Sequence, residues 1–367
     1  MKIEDQRAVA LRSGLARSPD GARVDPSRAE LAARLAKVIA GKAKPLGSLG
    51  RLEDLAIAIG LATGELAPNL GSARLVVFAG DHGITAEAVS SYPGSVTREI
   101  ARLLLEGRAG ANICLAAIDA ELIVVDAGLT TPLPDHPNLI KRNVRPGTRN
   151  ARREAAMTLA EFQQAFDAGQ NIVAAEIKKG AGIFALGEIG IGNTSAAALL
   201  AHAATDIPMS ALVGPGAGMP MKALEQKRQI LHDAYARAFS GDLDCDPRRA
   251  FVEFAGYEMV MMAGAIAAIT DAKKIAIIDG FIGTSVAAAL FAITPKARFH
   301  CVFAHVSGEA SHKTLLKHLE AEPLLDFGMR MGEGTGAALA IPLVRAAEKL
   351  LTQMADLDGG HPAPLTA

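Results

Sequence analysis

Tryptophan is absent from this 367-residue chain, tyrosine occurs three times, and aromatic residues make up 4% of it. So few rings argue against stacking platforms for single-stranded nucleic acid and against an aromatic-lined cleft for a sugar polymer. The core has to be built from Ala, Leu, Ile and Val. Cysteine is as scarce: Cys114, Cys245 and Cys301 are far apart and odd in number. They make neither a disulfide framework nor a C-x-x-C metal knuckle, and their apolar neighbours mark them as buried structural thiols. An excess of one charge is missing too. Lys and Arg total 38 against 39 Asp and Glu, a formal net charge of −1, so nucleic acid is not an expected partner. Charges interrupt every apolar run before the ~20 residues needed to cross a bilayer. The opening MKIEDQRAVALRSG carries both signs and no apolar core, unlike a signal peptide. A soluble, cytoplasmic protein with no membrane partner is expected.

What the chain does have is alternation. DPSRAELAARLAKVIAGKA reads as an amphipathic helix with Asp25 or Ser27 as its N-cap. KPLGSLGRLEDLAIAIGLATG breaks at Pro45, Gly47 and Gly50 and then resumes as a helix. RLVVFAG, ELIVVDAG, GIFALGE, KKIAIIDG and FHCVFAH read as strands. Helical segments such as EIARLLLEGRAGANICLAAI and SAAALLAHAA separate them. Continuous apolar strands between helices predict a parallel sheet covered on both faces. Residues 126–154 are the longest irregular stretch, and their basic run from Lys141 to Arg153 reads as a solvated loop or a lid over an anionic substrate rather than a polyanion patch. The chain ends in a Gly-rich turn, MRMGEGTG, opening a long helix, and a Gly/Pro/Ala tail from Gly359 that is expected to fray.

Four glycine clusters fall where strands hand over to helices or loops: FAGDHG (78–83), GEIGIGNTS (187–195), GPGAG (214–218) and DGFIGTS (279–285). Each alone can be a tight turn. Four at successive strand ends point to a ligand site on the carboxyl edge of a doubly wound sheet, where helix N-termini and close backbone approach make anion cradles. In GEIGIGNTS, Asn193, Thr194 and Ser195 are positioned to cap the next helix or donate to a phosphate. None of the clusters matches the P-loop or the full dinucleotide fingerprint. Glu333, between two glycines at a helix mouth, reads equally as a general base or a helix cap, and Glu188 carries the same two readings. Asp81 and His82 can form a dyad, or metal ligands with His305 and His312, but no histidine pair has helical zinc spacing; structural hydrogen bonding is the preferred reading. Lys227 and Arg330 are candidate phosphate partners.

KPLGSLGRLEDLA, FAGDHGITAEAVSSYP, GEIGIGNTS, DGFIGTSVAA and PLLDFGMRMGEGTGAALAIPLV, in this order from Lys44 to Val344, resemble the nicotinate-nucleotide–dimethylbenzimidazole phosphoribosyltransferases of cobalamin nucleotide-loop assembly. The resemblance implies transfer of phosphoribose from nicotinate mononucleotide to 5,6-dimethylbenzimidazole, without metal or other cofactor. It implies Glu333 as the catalytic base. It also implies contacts to the phosphate and ribose from Gly190, Gly192, Asn193, Gly214, Gly216, Lys227, Gly280, Phe281 and Arg330, and a base slot near Gly80, Asp81, Ser90, Tyr92 and Glu188. The implied fold is α/β, a Rossmann-like doubly wound parallel sheet in an α/β/α sandwich, with a small helical lobe drawn from both chain ends. Its parts would be residues 1–70 as the N-terminal helical segment, 71–330 as the catalytic domain and 331–367 as the catalytic turn, last helix and tail. A homodimer is implied as well.

The chain departs from the family pattern in three places. Pro215 and Ala217 stand where the family has Arg and Thr, Gly94-Ser95 follow Tyr92-Pro93 where a Gln is frequent, and Val306 replaces a basic residue. A paralogue with another acceptor, such as benzimidazole, adenine or a phenol, is therefore the alternative enzymatic reading. A silent nucleotide-binding protein is the non-enzymatic one, and retention of Glu333 counts against it.

Overall fold

The computed structural model describes residues 26–214, 221–239 and 247–357. Its strands are β1 (Ser72–Gly80), β2 (Ala120–Gly128), β3 (Leu139–Lys141), β4 (Ala181–Ile189), β5 (Ile275–Ile278) and β6 (Cys301–Phe303). They form one sheet in the order β3-β2-β1-β4-β5-β6, with every neighbouring pair parallel. This is doubly wound order: the chain starts mid-sheet, winds to one edge, then returns and winds to the other. Five strands coincide with the runs read from the sequence. β3 is an addition inside the stretch read as irregular; it pairs just three residues with β2, too few for a period to show. The basic run in that stretch is tied down by ion pairs, Arg149 to Glu161 at 2.6 Å and Arg152 to Glu87 and Asp233 at 2.7 Å each.

The first helices are α1 (Pro26–Ala40), α2 (Arg51–Thr63), α3 (Val96–Leu105), α4 (Gly110–Leu115) and α5 (Leu159–Lys178). After β4 come α6 (Asn193–Thr205), α7 (Met209–Leu212), α8 (Met221–Phe239), α9 (Pro247–Phe254) and α10 (Tyr257–Asp271). The last are α11 (Gly280–Ile293), α12 (Ala310–His318) and α13 (Thr335–Thr352). The segment read as one helical stretch around residue 107 is two helices, because Gly107 takes a φ of 75° between α3 and α4. Asp25 and the tail from Gly359 lie outside the described residues, as does Cys245; Cys301 is buried and Cys114 half-buried, both free.

Side chains alternate across each strand, and so they divide the core in two. Val76, Phe78, Val125, Phe184 and Leu186 join α5, α6, α10 and α11 on one face. Their neighbours Leu75, Val77, Val124, Ile183 and Ala185 join α1, α2, α3, α4 and α13 on the other. The chain-terminal helices α1 and α2 thus share a core with α13, which carries the Gly-rich turn at its mouth. Arg74 is the buried charge on β1, and Glu176 of α5 meets its Nε at 2.8 Å. Among the described residues no helix is long and apolar enough to cross a membrane.

Helices α5 and α10 pack backbone to backbone. A Cβ at Gly169 would lie 1.9 Å from the Met261 carbonyl oxygen, and one at Gly264 would lie 2.0 Å from that of Phe166. Overpacking costs about 1–3 kcal/mol, so Gly169→Ala is expected to lower the calorimetric unfolding midpoint by a few degrees. An unchanged midpoint would show that the two helices can part freely.

Candidate active site

The loop after β1 and the carboxyl ends of β4, β5 and β6 open onto one cleft of about 420 Å³. It lies at the reversal of strand order between β1 and β4, where ligands bind in doubly wound sheets. Of the residues singled out from the sequence, Ser90, Tyr92, Glu188, Gly190, Gly192, Asn193, Lys227, Gly280, Phe281, Arg330 and Glu333 line it. Gly214 is described but does not line the cleft, and Gly216 lies outside the described residues with Pro215 and Ala217.

Gly80 and Asp81 sit to one side. A Cβ at Gly80 would come within 2.4 Å of Glu258 Oε2, so this glycine makes room for a buried carboxylate. Glu258 in turn holds His82 Nε2 at 2.7 Å. Burial pulls the His82 pKa down, but the Glu258 charge and hydrogen bond outweigh it and leave the pKa raised. Asp81 accepts from the Thr130 backbone N–H (2.8 Å) and hydroxyl (2.7 Å), which ties the β1 loop to the β2 loop. It faces an adjoining cavity of about 280 Å³ that also contains Gly94 and Ser95. Asp81, His82, His305 and His312 each have separate partners: Thr130, Glu258, Asp279 and Thr284.

The turn bearing Glu333 explains its glycines. Gly332, Glu333 and Gly334 are all left-handed, with φ of 83°, 62° and 80°. A Cβ on Gly187 would fall 2.5 Å from Gly334 Cα, so the turn rests directly on β4 beside Glu188. Gly334, not Glu333, occupies the N-cap of α13. The Glu333 carboxylate instead accepts from the Ala111 N–H at 3.4 Å, at the start of α4. Burial raises its pKa, and the Ala111 and Gly110 N–H groups partly oppose that rise.

Glu188 is buried and its pKa lies well above the usual carboxylate range, through burial and then the nearby charges of Glu258, Asp279 and Glu333. The Asn193 amide donates to it. Helix α6 is capped by left-handed Gly192 with no side-chain bond. Of the side chains expected to cap it, Asn193 is committed to Glu188 and Thr194 to Lys227 Nζ at 3.1 Å, and the buried Ser195 hydroxyl meets no partner among the described residues. Lys227 is almost fully buried, and burial pulls its pKa to about 8 against the opposing charge of Glu309. Exposed Arg330 completes the cationic pair in the cleft.

Asp279, Ser307 and Glu309 also line the cleft, and the residue-by-residue reading of the sequence gave them no role. Asp279 Oδ1 accepts from the Ala337 N–H at 2.9 Å and lies 3.4 Å from His305 Nε2. The approach of all three to the cleft follows from the strand order, which sets the loops after β5 and β6 on the same edge as the loop after β4. The arrangement can hold an anion at the Gly190–Thr194 turn and Lys227, and can accept a proton at Glu333.

The comparisons decide the family. Residues 24–361 match a family model described as phosphoribosyltransferase. The chain is 42% identical over 317 residues to a nicotinate-nucleotide–dimethylbenzimidazole phosphoribosyltransferase of Dechloromonas aromatica, covering 86% of this chain and 91% of the relative. It is 41% identical over 331 residues to the enzyme so named from Shewanella loihica, covering 90% and 96%. The solved structure of CobT from Thermus thermophilus superposes with a TM-score of 0.84 at 39% identity, over 89% of this chain and 97% of that one. The chain belongs to this phosphoribosyltransferase family.

For a phosphoribosyltransferase the protonation of Lys227 has a measurable consequence. The ammonium form persists below about pH 8 and is lost above it, so affinity for a phosphorylated sugar is expected to fall as the pH rises through 8. Calorimetry with ribose 5-phosphate at a series of pH values reads this directly. Lys227→Met is expected to bind weakly at every pH and to lose that step; a step that survived in the variant would assign it to another group.

Proposed function

We propose that this chain transfers phosphoribose from nicotinate mononucleotide to 5,6-dimethylbenzimidazole, yielding nicotinate and α-ribazole 5′-phosphate. The observation that carries this is Glu333, a buried carboxylate with a raised pKa on a rigid turn in the wall of the cleft. Nicotinate leaves from a pyridinium, and the electron pair of the breaking bond to C1′ neutralises its ring, so departure needs no general acid. One benzimidazole nitrogen forms the new bond to C1′ while the other gives its proton to Glu333. Attack opposite the leaving group turns the β-linkage into an α-linkage, as in inverting glycosyl transfer.

In this reading Gly190, Gly192, Asn193, Lys227, Gly280, Phe281 and Arg330 hold the phosphate and ribose, and the family resemblance adds Gly214 and Gly216. Ser90, Tyr92 and Glu188 shape the base slot, and Gly80 and Asp81 support it from the side. Orientation does most of the remaining work, because holding acceptor and C1′ in line removes much of the entropy cost of their meeting. The reading requires no metal or other cofactor. We also propose a homodimer working in the cytoplasm; Leu46, Leu49 and Phe327 are 65%, 40% and 71% exposed, apolar surface that a second copy would cover.

Calorimetric titration with nicotinate mononucleotide, followed by dimethylbenzimidazole and chromatographic detection of nicotinate, tests the reaction. Glu333→Gln is expected to keep donor affinity within a few-fold and to lower turnover by roughly 10²–10⁴. Near-normal turnover would transfer the base role to Glu188.

One observation favours a broadened acceptor range. A Cβ at Gly94 would meet a single neighbour, Thr85 Oγ1 at 3.9 Å, so the space a longer side chain would fill is open. A methyl group more or less changes discrimination by only ~1–3 kcal/mol, whereas a polar group left unpaired changes it far more. Dimethylbenzimidazole is therefore expected to outcompete benzimidazole only modestly at equal concentration, and Gly94→Gln to sharpen the choice. Equal selectivity in the two proteins would show that other residues define the slot.

A further inference from the structure

Two of the loops that shape the cleft are tied together from behind. Ser307, after β6, donates its backbone N–H to His312 Nδ1 at 2.9 Å. On the far side of the ring, His312 Nε2 lies 3.0 Å from the Thr284 hydroxyl, and that hydroxyl donates to the Gly280 carbonyl at 2.7 Å. Ser307 and Gly280 line the cleft. His312 and Thr284 do not; they are 1% and 0% exposed in the core behind it.

The proton arrangement of this relay follows from its ends. A ring nitrogen that accepts from a backbone N–H carries a lone pair, so the single proton of the neutral imidazole sits on Nε2 and is donated to Thr284. The Thr284 hydroxyl in turn donates its hydrogen bond to the Gly280 carbonyl. A doubly protonated ring would set an N–H against the Ser307 N–H. Burial, with the neighbouring His305, keeps the ring neutral by pulling its pKa to about 3. One arrangement therefore holds across any working pH.

The ends of the relay are active-site groups. Gly280, with a φ of 56°, turns the chain from β5 into α11 and directs the first turn of that helix at the cleft. Ser307 Oγ accepts from the Glu309 N–H at 3.2 Å, so its hydroxyl proton can be donated to a ligand. We infer that His312 and Thr284 are positioning residues for the phosphoribosyl donor, holding the Ser307 hydroxyl and the first turn of α11 at one separation so that both engage the same donor. This rests on the transferase reading above.

The test replaces Thr284 with Val, which keeps the shape and removes the hydroxyl, and with Ser, which keeps the hydroxyl. Thr284→Val is expected to raise the KM for nicotinate mononucleotide roughly ten-fold, as losing a buried hydrogen bond does, with kcat within about three-fold of the parent; Thr284→Ser is expected to restore the KM. A parental KM in Thr284→Val, or a parallel loss of kcat and affinity that Ser does not restore, overturns the inference and leaves the relay as core packing. The rise in unfolding midpoint on adding ribose 5-phosphate gives a reading independent of turnover. It is expected to shrink in the Val variant and to return in the Ser variant. If the parent protein releases no nicotinate, the transferase reading fails, and this thermal shift still decides whether the relay positions a phosphosugar; an equal shift in parent and Val variant refutes it.

Discussion

The seating of the Gly332–Gly334 turn on Gly187 is the contact on which the cleft depends. Strand β4 can carry no side chain at 187, because its Cβ would enter the backbone at Gly334, and the turn can carry none at 334, where a Cβ would lie 2.6 Å from Leu75 Cδ1 and press on Gly187 at 3.2 Å. With both positions bare, the turn descends onto the strand and the carboxylates of Glu188 and Glu333 are brought to the same end of the sheet. Glu333 itself adopts a left-handed backbone, which costs a residue with a side chain about 1–2 kcal/mol. Such strain persists where the surroundings over-determine the conformation. Here the surroundings are the two flanking glycines, the β4 backbone beneath, and the α4 N–H groups that receive the carboxylate.

That crowding of acids shapes the electrostatics. Glu188, Glu333, Asp279 and Glu309 face one cleft and Glu258 lies behind it, so full ionisation would place several like charges within a partly dehydrated space. Burial raises the pKa values of Glu188, Glu309 and Glu333, with neighbouring carboxylates adding to the rise at Glu188 and Glu333 while Lys227 and Arg330 oppose it at Glu309, and His82 meets Glu258 at 2.7 Å. The cleft is therefore less negative than its formal count. Glu188, with its pKa furthest above the ordinary range, can present a protonated oxygen, while Glu333 keeps the backbone donors that favour its ionised form. Two similar carboxylates are separated in character, one by deep burial among other acids and the other by the backbone donors of a helix start.

Much of this was legible in the sequence, and the limits have physical causes. Parallel strands buried on both faces leave unbroken apolar runs, and glycines at their ends mark backbone turns; from these the sheet and its functional edge could be read. β3 escaped because three residues define no period. The function of the glycines beside Glu333 was legible as a flag but not as a cause, since the cause is a long-range contact with residue 187. The same holds for Asn193 and Thr194: their types suit a helix cap, and only the fold brings Glu188 and Lys227 near enough to claim them. Asp279, Ser307 and Glu309 reach the cleft by strand order alone, which local pattern does not encode. His312 was read as a structural hydrogen-bonder whose partner the sequence did not name, and Thr284 was hidden, because the contact between them joins distant segments.

Charge and ligand binding are coupled through Lys227. Its pKa near 8 reflects the cost of a buried ammonium with Glu309 as partial compensation. An incoming phosphate would stabilise the ammonium and raise that pKa, so above pH 8 binding would draw in a proton. By the same linkage a neutral Lys227 weakens the phosphate contact, and the two equilibria shift each other by the same free energy. Glu309 moves in the same sense, since phosphate competes with it for Lys227 and Arg330 and would push its pKa further up. A site that holds two cations among several acids thus responds to an anion by protonation, limiting the rise in net negative charge when the donor enters. Glu333 keeps its partners through this change, because they are backbone dipoles and not side chains that the phosphate would engage.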